Sequence, residues 1–222
     1  MKKIKFFQVF FPILLLAIPW VYLANIWHDL PQIVPTHFGI NGMADKFGNK
    51  TETIFILLIL QGVGLITYFI LKNIHKIDPK KKYTADNAAV IKKISVVLLL
   101  LISFLSVIIL YSTLHAKITG MPVLFCGLSL FLAYIGNLMY SIKQNYFTGI
   151  RVPWTLDNED NWRKTHHLAS KIWFAGGIIL ALLSLLINIK LLVITFIIAV
   201  LLMSIIPIIY SYTLFKKNLT QK

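Results

Sequence analysis

The chain has 222 residues, 58% of them hydrophobic and 14% charged, with a formal net charge of +14. A soluble globular domain carries about 25% charged residues, so the composition excludes an ordinary soluble fold. The positive charge is spread over segments that flank apolar runs instead of covering one folded face, which excludes a direct nucleic-acid interface and points to membrane orientation.

Lys2, Lys3 and Lys5 lead into the first apolar run, 6–26. It is long for a secretory leader and lacks a small-x-small cleavage site, so it reads as a retained membrane helix. The first loop, WHDLPQIVPTHFGINGMADKFGNKTE (27–52), is rich in proline and glycine, which favours turns over a regular element. The second run, 53–71, has Gln61 near its middle beside Gly62 and Gly64. The second loop is basic, with Lys72, Lys76, Lys80, Lys81, Lys82, Lys92 and Lys93. Each such lysine contributes about 1 kcal/mol toward anionic lipid.

The third and fourth runs, 94–114 and 122–142, are joined by a short turn that holds Lys117. The lone cysteine, Cys126, lies in the fourth run; a single thiol allows no intramolecular disulfide and no cysteine zinc cluster, and packing is its expected role. After a polar fourth loop, 143–171, come the runs 172–189 and 191–214 and a tail with Lys216, Lys217 and Lys222. Runs this long and apolar read as transmembrane helices, since roughly 20 residues cross the hydrocarbon core.

The chain is therefore expected to be an all-α integral membrane protein with six transmembrane helices. Basic residues mark the cytoplasmic loops, which puts both termini and loops two and four inside and loop one outside. The expected organisation is an N-terminal two-helix membrane unit, 1–72, with the extracytoplasmic loop 27–52, then a four-helix unit, 73–222, with the cytoplasmic loop 143–171. The run interiors hold no Asp, Glu, Lys, Arg or His, which argues against ion-coupled transport. Their polar groups (Gln61, Ser103, Ser106, Asn137, Thr195, Ser204) are expected to hydrogen-bond between helices, and Gly177 and Ala181 to form a small-xxx-small contact.

The stretch 145–173, NYFTGIRVPWTLDNEDNWRKTHHLASKIW, holds both arginines of the chain, Arg151 and Arg163, and three of the tryptophans. Pro153 pushes Val152 to extended backbone. A helix is expected from about 158 straight into the fifth run, with Asp157 as N-cap and acids in its first turn. Trp162, His166, Ala169 and Trp173 recur on one face of it. Glu159 with Arg163, and Asp160 with Lys164, have the favoured i,i+4 order. Arg151, His166 and His167 have no partner by spacing. Arg151 is either a positive-inside anchor or a bidentate donor to a lipid phosphate or peptide carboxylate. His166 is either a functional group or a helix-face residue bonded to a loop carbonyl.

Asn145, Phe147, Gly149, Ile150, Arg151, Pro153, Trp154, Thr155 and Leu156, followed by Trp162, Thr165 and His166, resemble the signature segment of the SdpI family of bacterial membrane immunity proteins. Valine at 152, where threonine is frequent, is a mild departure. In loop one, Leu30, Pro31, Pro35, His37, Gly42 and Gly48 resemble the small domain of unknown function often found at the N-terminus of this family. The resemblance implies resistance to a secreted peptide toxin, and for some members toxin sensing that holds a small DNA-binding repressor at the cytoplasmic face. Membrane lipid is the remaining partner; no cofactor, no metal and no catalytic residue are implied, and the chain is not expected to be an enzyme. The functional residues it implies are Asn145, Phe147, Gly149, Arg151, Pro153, Trp154, Thr155, Trp162, Thr165 and His166, with Pro35, His37 and Gly42 in the extracytoplasmic loop. Two alternatives stand beside it: a transporter of a small solute or lipid-related molecule, and a membrane metallohydrolase using His28, Asp29, His37 and Asp45. Histidines outside and inside the membrane could not share one metal across ~30 Å of hydrocarbon.

Overall fold

The computed structural model describes residues 2–39, 42–74, 85–116 and 120–220. The elements in chain order are α1 (Lys2–Ile26), β1 (Ile33–Phe38), β2 (Ala44–Asn49), α2 (Glu52–Asn73), α3 (Ala85–His115), α4 (Met121–Met139), α5 (Pro153–Asp157), α6 (Glu159–Leu186) and α7 (Ile189–Thr220). Lys76, Lys80, Lys81, Lys82, Lys117 and Lys222, all used in the charge reading, lie outside the described residues.

Five helices among the described residues are long and apolar enough to cross a membrane: α2, α3 from Asn87, α4, α6 and α7. In α1 the apolar stretch with described side chains is Phe10–Ile26, 17 residues. Many large apolar side chains on these helices are exposed, among them Phe55, Ile59, Leu182 and Ile209. Exposure on this scale suits a lipid solvent, in which apolar side chains carry no penalty.

The contacts gather residues 1–69 and 95–124 into one unit, and 70–94 and 125–222 into another. In the first unit, Leu23, Ile26, Leu30, Val34, Leu57 and Leu110 form one apolar cluster and Leu15, Tyr68 and Leu99 a second. Polar contacts cross between its helices. Gln61 Nε2 donates to Ser106 Oγ at 2.9 Å, and the Ser103 hydroxyl donates to Leu15 O at 2.5 Å. Not every polar residue of the runs does this: Ser204 bonds within its own helix to Val200 O at 2.8 Å, and Asn137 is exposed.

Loop one departs from the reading as turns. It folds into an antiparallel hairpin in which Val34 pairs with Gly48 and Pro35 with Phe47. Burial explains the strand. Val34 is fully buried in the first apolar cluster while Ile33 beside it is exposed, so one side of the strand rests on a core. Pro35 is tolerated because the sheet has only two strands and the register shifts just after it, as expected of a residue without an N–H. Asn49 and Glu52 then secure the entry to α2. Glu52 Oε1 accepts the Asn49 N–H, and Asn49 Oδ1 accepts the Thr51 N–H, both at 3.0 Å.

In the second unit, a Cβ added at Gly177 would come within 2.6 Å of Ala133 N and Ser129 O, both main-chain atoms of α4. The α6 backbone therefore runs directly against α4 at Gly177, as expected there, and Ala181 one turn on is buried.

Candidate functional site

Loop four is organised by buried side chains that bond to main-chain atoms. Asn145, fully buried, closes the first turn. Its Oδ1 accepts the N–H groups of Phe147 and Thr148, both at 2.8 Å, and its Nδ2 donates to Lys143 O at 2.8 Å. Phe147 itself is half-buried. The Lys143 N–H donates to Asn87 Oδ1 at 2.9 Å, which ties the loop to the start of α3.

Val152 is extended (φ −102°, ψ 155°), as Pro153 requires, and Pro153 opens α5 at the first helical position. Thr155 Oγ1 accepts the Val152 N–H at 3.2 Å and lies 2.8 Å from Ile150 O. Gln144 Nε2 donates to Thr155 O and Leu156 O, at 2.9 and 2.8 Å. Helix α6 begins at Glu159 and runs unbroken to Leu186, as expected. Its N-cap is one residue later than predicted: Asn158, not Asp157, accepts the Asn161 N–H, at 2.8 Å. The first turns of α6, through Lys171, are charged and precede the apolar stretch of the helix.

Trp162 and His166 form the centre. The Trp162 indole N–H donates to Ile142 O at 2.9 Å, and the two rings stack with centroids 4.0 Å apart. His166 Nε2 lies 3.0 Å from the Ile150 N–H, which can only donate, so Nε2 carries no proton. Nδ1 holds the proton and donates to Trp162 O at 2.8 Å. Burial pushes the His166 pKa down to about 4 despite the Trp162 carbonyl, and His167 adds to the fall. One of the two sequence readings put His166 against a loop carbonyl; the loop instead supplies an N–H. Gly149 makes room for this ring. Its φ is +102°, and a Cβ there would overlap His166 Nε2.

Two links tie the loop to α7. Trp154 Nε1 donates to Ser211 Oγ at 2.7 Å, and Asn161 Nδ2 to Ser211 O at 2.9 Å. Thr165 Oγ1 donates to Asn161 Oδ1 at 3.0 Å. Arg151 stays exposed and donates to Tyr146 O at 2.7 Å. His167 stacks on Tyr140, with centroids 4.0 Å apart.

The charge pairing is partly different from expectation. Asp160 takes both cations, Lys164 at 2.6 Å and Arg163 at 2.8 Å, so Arg163 does not pair with Glu159. These two bonds, Lys164 first, hold the Asp160 carboxyl below its ordinary range.

The site residues of loop one belong to the other contact unit. Pro35 is buried in β1 and Gly42 takes a φ of 75° in the hairpin turn. His37 Nδ1 and Asp45 Oδ1 lie 2.6 Å apart on the exposed surface. Among the described residues no three His, Cys, Asp or Glu side chains are grouped to hold a metal, so His28 and Asp29 do not join that pair.

Sequence reasoning missed Asn87, Gln144, Asn161 and Ser211. Asn161 sits beside Trp162 and is legible as a neighbour of the helix-face pattern. Ser211 reads as an ordinary small residue in an apolar run, and nothing local connects it to a loop 50 residues earlier.

Residues 141–211 match the SdpI/YfhL protein family, and residues 14–62 match a domain of unknown function, DUF1648. The chain is 27% identical over 205 residues, 92% of its length and 94% of the relative's, to Immunity protein SdpI of Bacillus subtilis (strain 168). It is 40% identical over 62 residues, 28% of its length and 32% of the relative's, to an uncharacterized protein of Archaeoglobus fulgidus. No solved structure matches it. The first family segment contains the loop-four network as far as Ser211, and the second contains the hairpin.

Proposed function

We propose that this chain, which matches the SdpI/YfhL family over residues 141–211, is a multi-pass membrane protein that confers immunity to a secreted peptide toxin. The observation that carries the reading is similarity to an immunity protein along 92% of the chain. In this reading α1 is a sixth span, and the lysine distribution sets both termini and loop four in the cytoplasm. The N-terminal unit, 1–72, presents the hairpin, with Pro35, His37 and Gly42, to the toxin. The remaining unit, 73–222, carries the loop-four network built by Asn145, Gly149, Thr155, Trp162, Thr165 and His166. That network, with Arg151 and Trp154 at its surface, is a rigid platform on which a cytosolic DNA-binding repressor is held when toxin is present.

A toxin-sensitive strain expressing the chain is expected to survive toxin that kills the strain carrying an empty vector. In the same strain Arg151→Ala is expected to keep protection while weakening repressor recruitment, measured as the membrane-bound fraction of the repressor. Equal killing with and without the chain, at verified membrane expression, would overturn the immunity reading.

A further inference from the structure

A crevice of about 220 Å³ opens between the start of α6 and the end of α7, lined by Trp154, Asp157, Asn158, Asn161, Phe215 and Asn218 together with Leu219. We propose that it binds the cationic side chain of a basic protein segment, an arginine or a lysine.

The aromatic wall points to a cation. Trp154 and Phe215 are stacked with centroids 5.8 Å apart, and Tyr212 lies 5.3 Å from Trp154. The Trp154 N–H is already committed to Ser211, so the indole offers its π surface and not a donor. Tyr212, beside the wall and not lining the crevice, already carries a cation, with the Lys216 ammonium 5.4 Å from its ring centroid. A ring quadrupole attracts a cation placed over its face.

The charge agrees. Asp157 is the one charged side chain lining the crevice. It is exposed, and it caps nothing, because Asn158 caps α6. Asp160 holds Lys164 and Arg163, but among the described residues Asp157 has no cation. The positive end of α6 would favour an anion, yet Asp157, Glu159 and Asp160 already occupy that end. A carboxylate beside an aromatic wall suits a guanidinium, which stacks and hydrogen-bonds at once. The crevice lies beyond the apolar part of α7, next to Lys216 and Lys217, where a soluble segment reaches it. The inference deepens the reading of a cytosolic partner at loop four and rests on that reading for the side of the membrane.

The test uses the full chain in phosphatidylcholine nanodiscs and a labelled hexapeptide with two arginines, followed by anisotropy. Saturable binding is expected. It should weaken at least tenfold when citrulline replaces arginine, and at least tenfold in Asp157→Asn, with Phe215→Leu weakening it by a smaller factor. Among the described residues the exposed Asp157 side chain makes no hydrogen bond or ion pair, so Asp157→Asn is expected to keep the fold. No saturable binding, equal binding of the citrulline peptide, or undiminished binding by Asp157→Asn would each overturn the proposal. So would displacement of the peptide by phosphatidylethanolamine in the disc, which would assign the crevice to a lipid amine. A chain that protects cells yet binds no arginine peptide sinks this proposal alone. One that binds the peptide yet protects no cells sinks the immunity reading alone.

Discussion

Loop four and the loop-one hairpin are both polar interruptions of an apolar chain, and they use their polar residues in opposite ways. In loop four Asn145, Thr155, Trp162, Thr165 and His166 are buried, and all but Thr165 bond to main-chain atoms. In the hairpin His37 and Asp45 are about half exposed and bond to each other. Truncating a buried partner leaves a desolvated group unsatisfied, at about 1–3 kcal/mol. Separating an exposed pair costs about 0–1 kcal/mol. The chain therefore specifies loop four through buried polar groups and leaves the polar pair of the hairpin open to solvent.

The largest test of this contrast is Trp162→Ala. The indole is 1% exposed, fills the centre of loop four and holds Ile142 O. Its removal should cost roughly 3–5 kcal/mol, read as a large fall in thermal midpoint in detergent. Next comes Gly149→Ala. A positive φ costs a non-glycine residue about 1–3 kcal/mol, and the added methyl also displaces the His166 ring. The expected result is a loss of roughly 3 kcal/mol. Near-wild-type melting of either variant would erase the distinction between the two loops.

Acid probes the same centre. His166 is held neutral when folded, with its pKa pushed down by burial from 6.5 to about 4. Between those values the unfolded chain binds the extra proton, so stability rises with pH there. The stabilisation is fully present above pH 6.5 and is lost as pH falls toward 4, on the order of 3 kcal/mol in all. His166→Gln should be less stable at neutral pH and should lose this part of the pH dependence. A melting curve for His166→Gln parallel to wild type from pH 7 to 4 would show that the ring is not the titrating element.

Much of this architecture is legible in the sequence where the determinants are local. Pro153 alone predicts extended Val152, and the 162, 166, 169, 173 spacing predicts one face of α6. The signature residues are also legible, but as a string; their pairing is not. His166 meets Ile150 because Gly149 turns the chain with positive φ, and Trp154 meets Ser211 because α7 packs on α5 and α6. Both are tertiary facts. The hairpin is hidden for another reason. Proline and glycine in 31–48 read as breakers, while the β-branched run Ile33, Val34 and Thr36 becomes a strand only because a cluster of leucines is there to bury Val34. The Asp160 pairing shows the limit of spacing rules, since i,i+3 and i,i+4 partners compete and one carboxylate took both cations.

The smallest effect sharpens the contrast most. His37→Ala removes one side of a hydrogen-bonded pair whose side chains are 58% and 50% exposed. Water replaces the lost partner at once, so the thermal midpoint should stay within the shift expected for about 0.5 kcal/mol. A double-mutant cycle with Asp45→Ala should return a coupling below about 1 kcal/mol. If the hairpin meets the toxin as proposed, toxin protection is expected to fall even so, since the variant would act on its surface and not on the stability of the chain. The loop-four variants invert the pattern, losing stability first and protection as a consequence. If the His37–Asp45 coupling exceeded about 2 kcal/mol, the hairpin would be held together by its polar pair, and the two loops would no longer differ in kind.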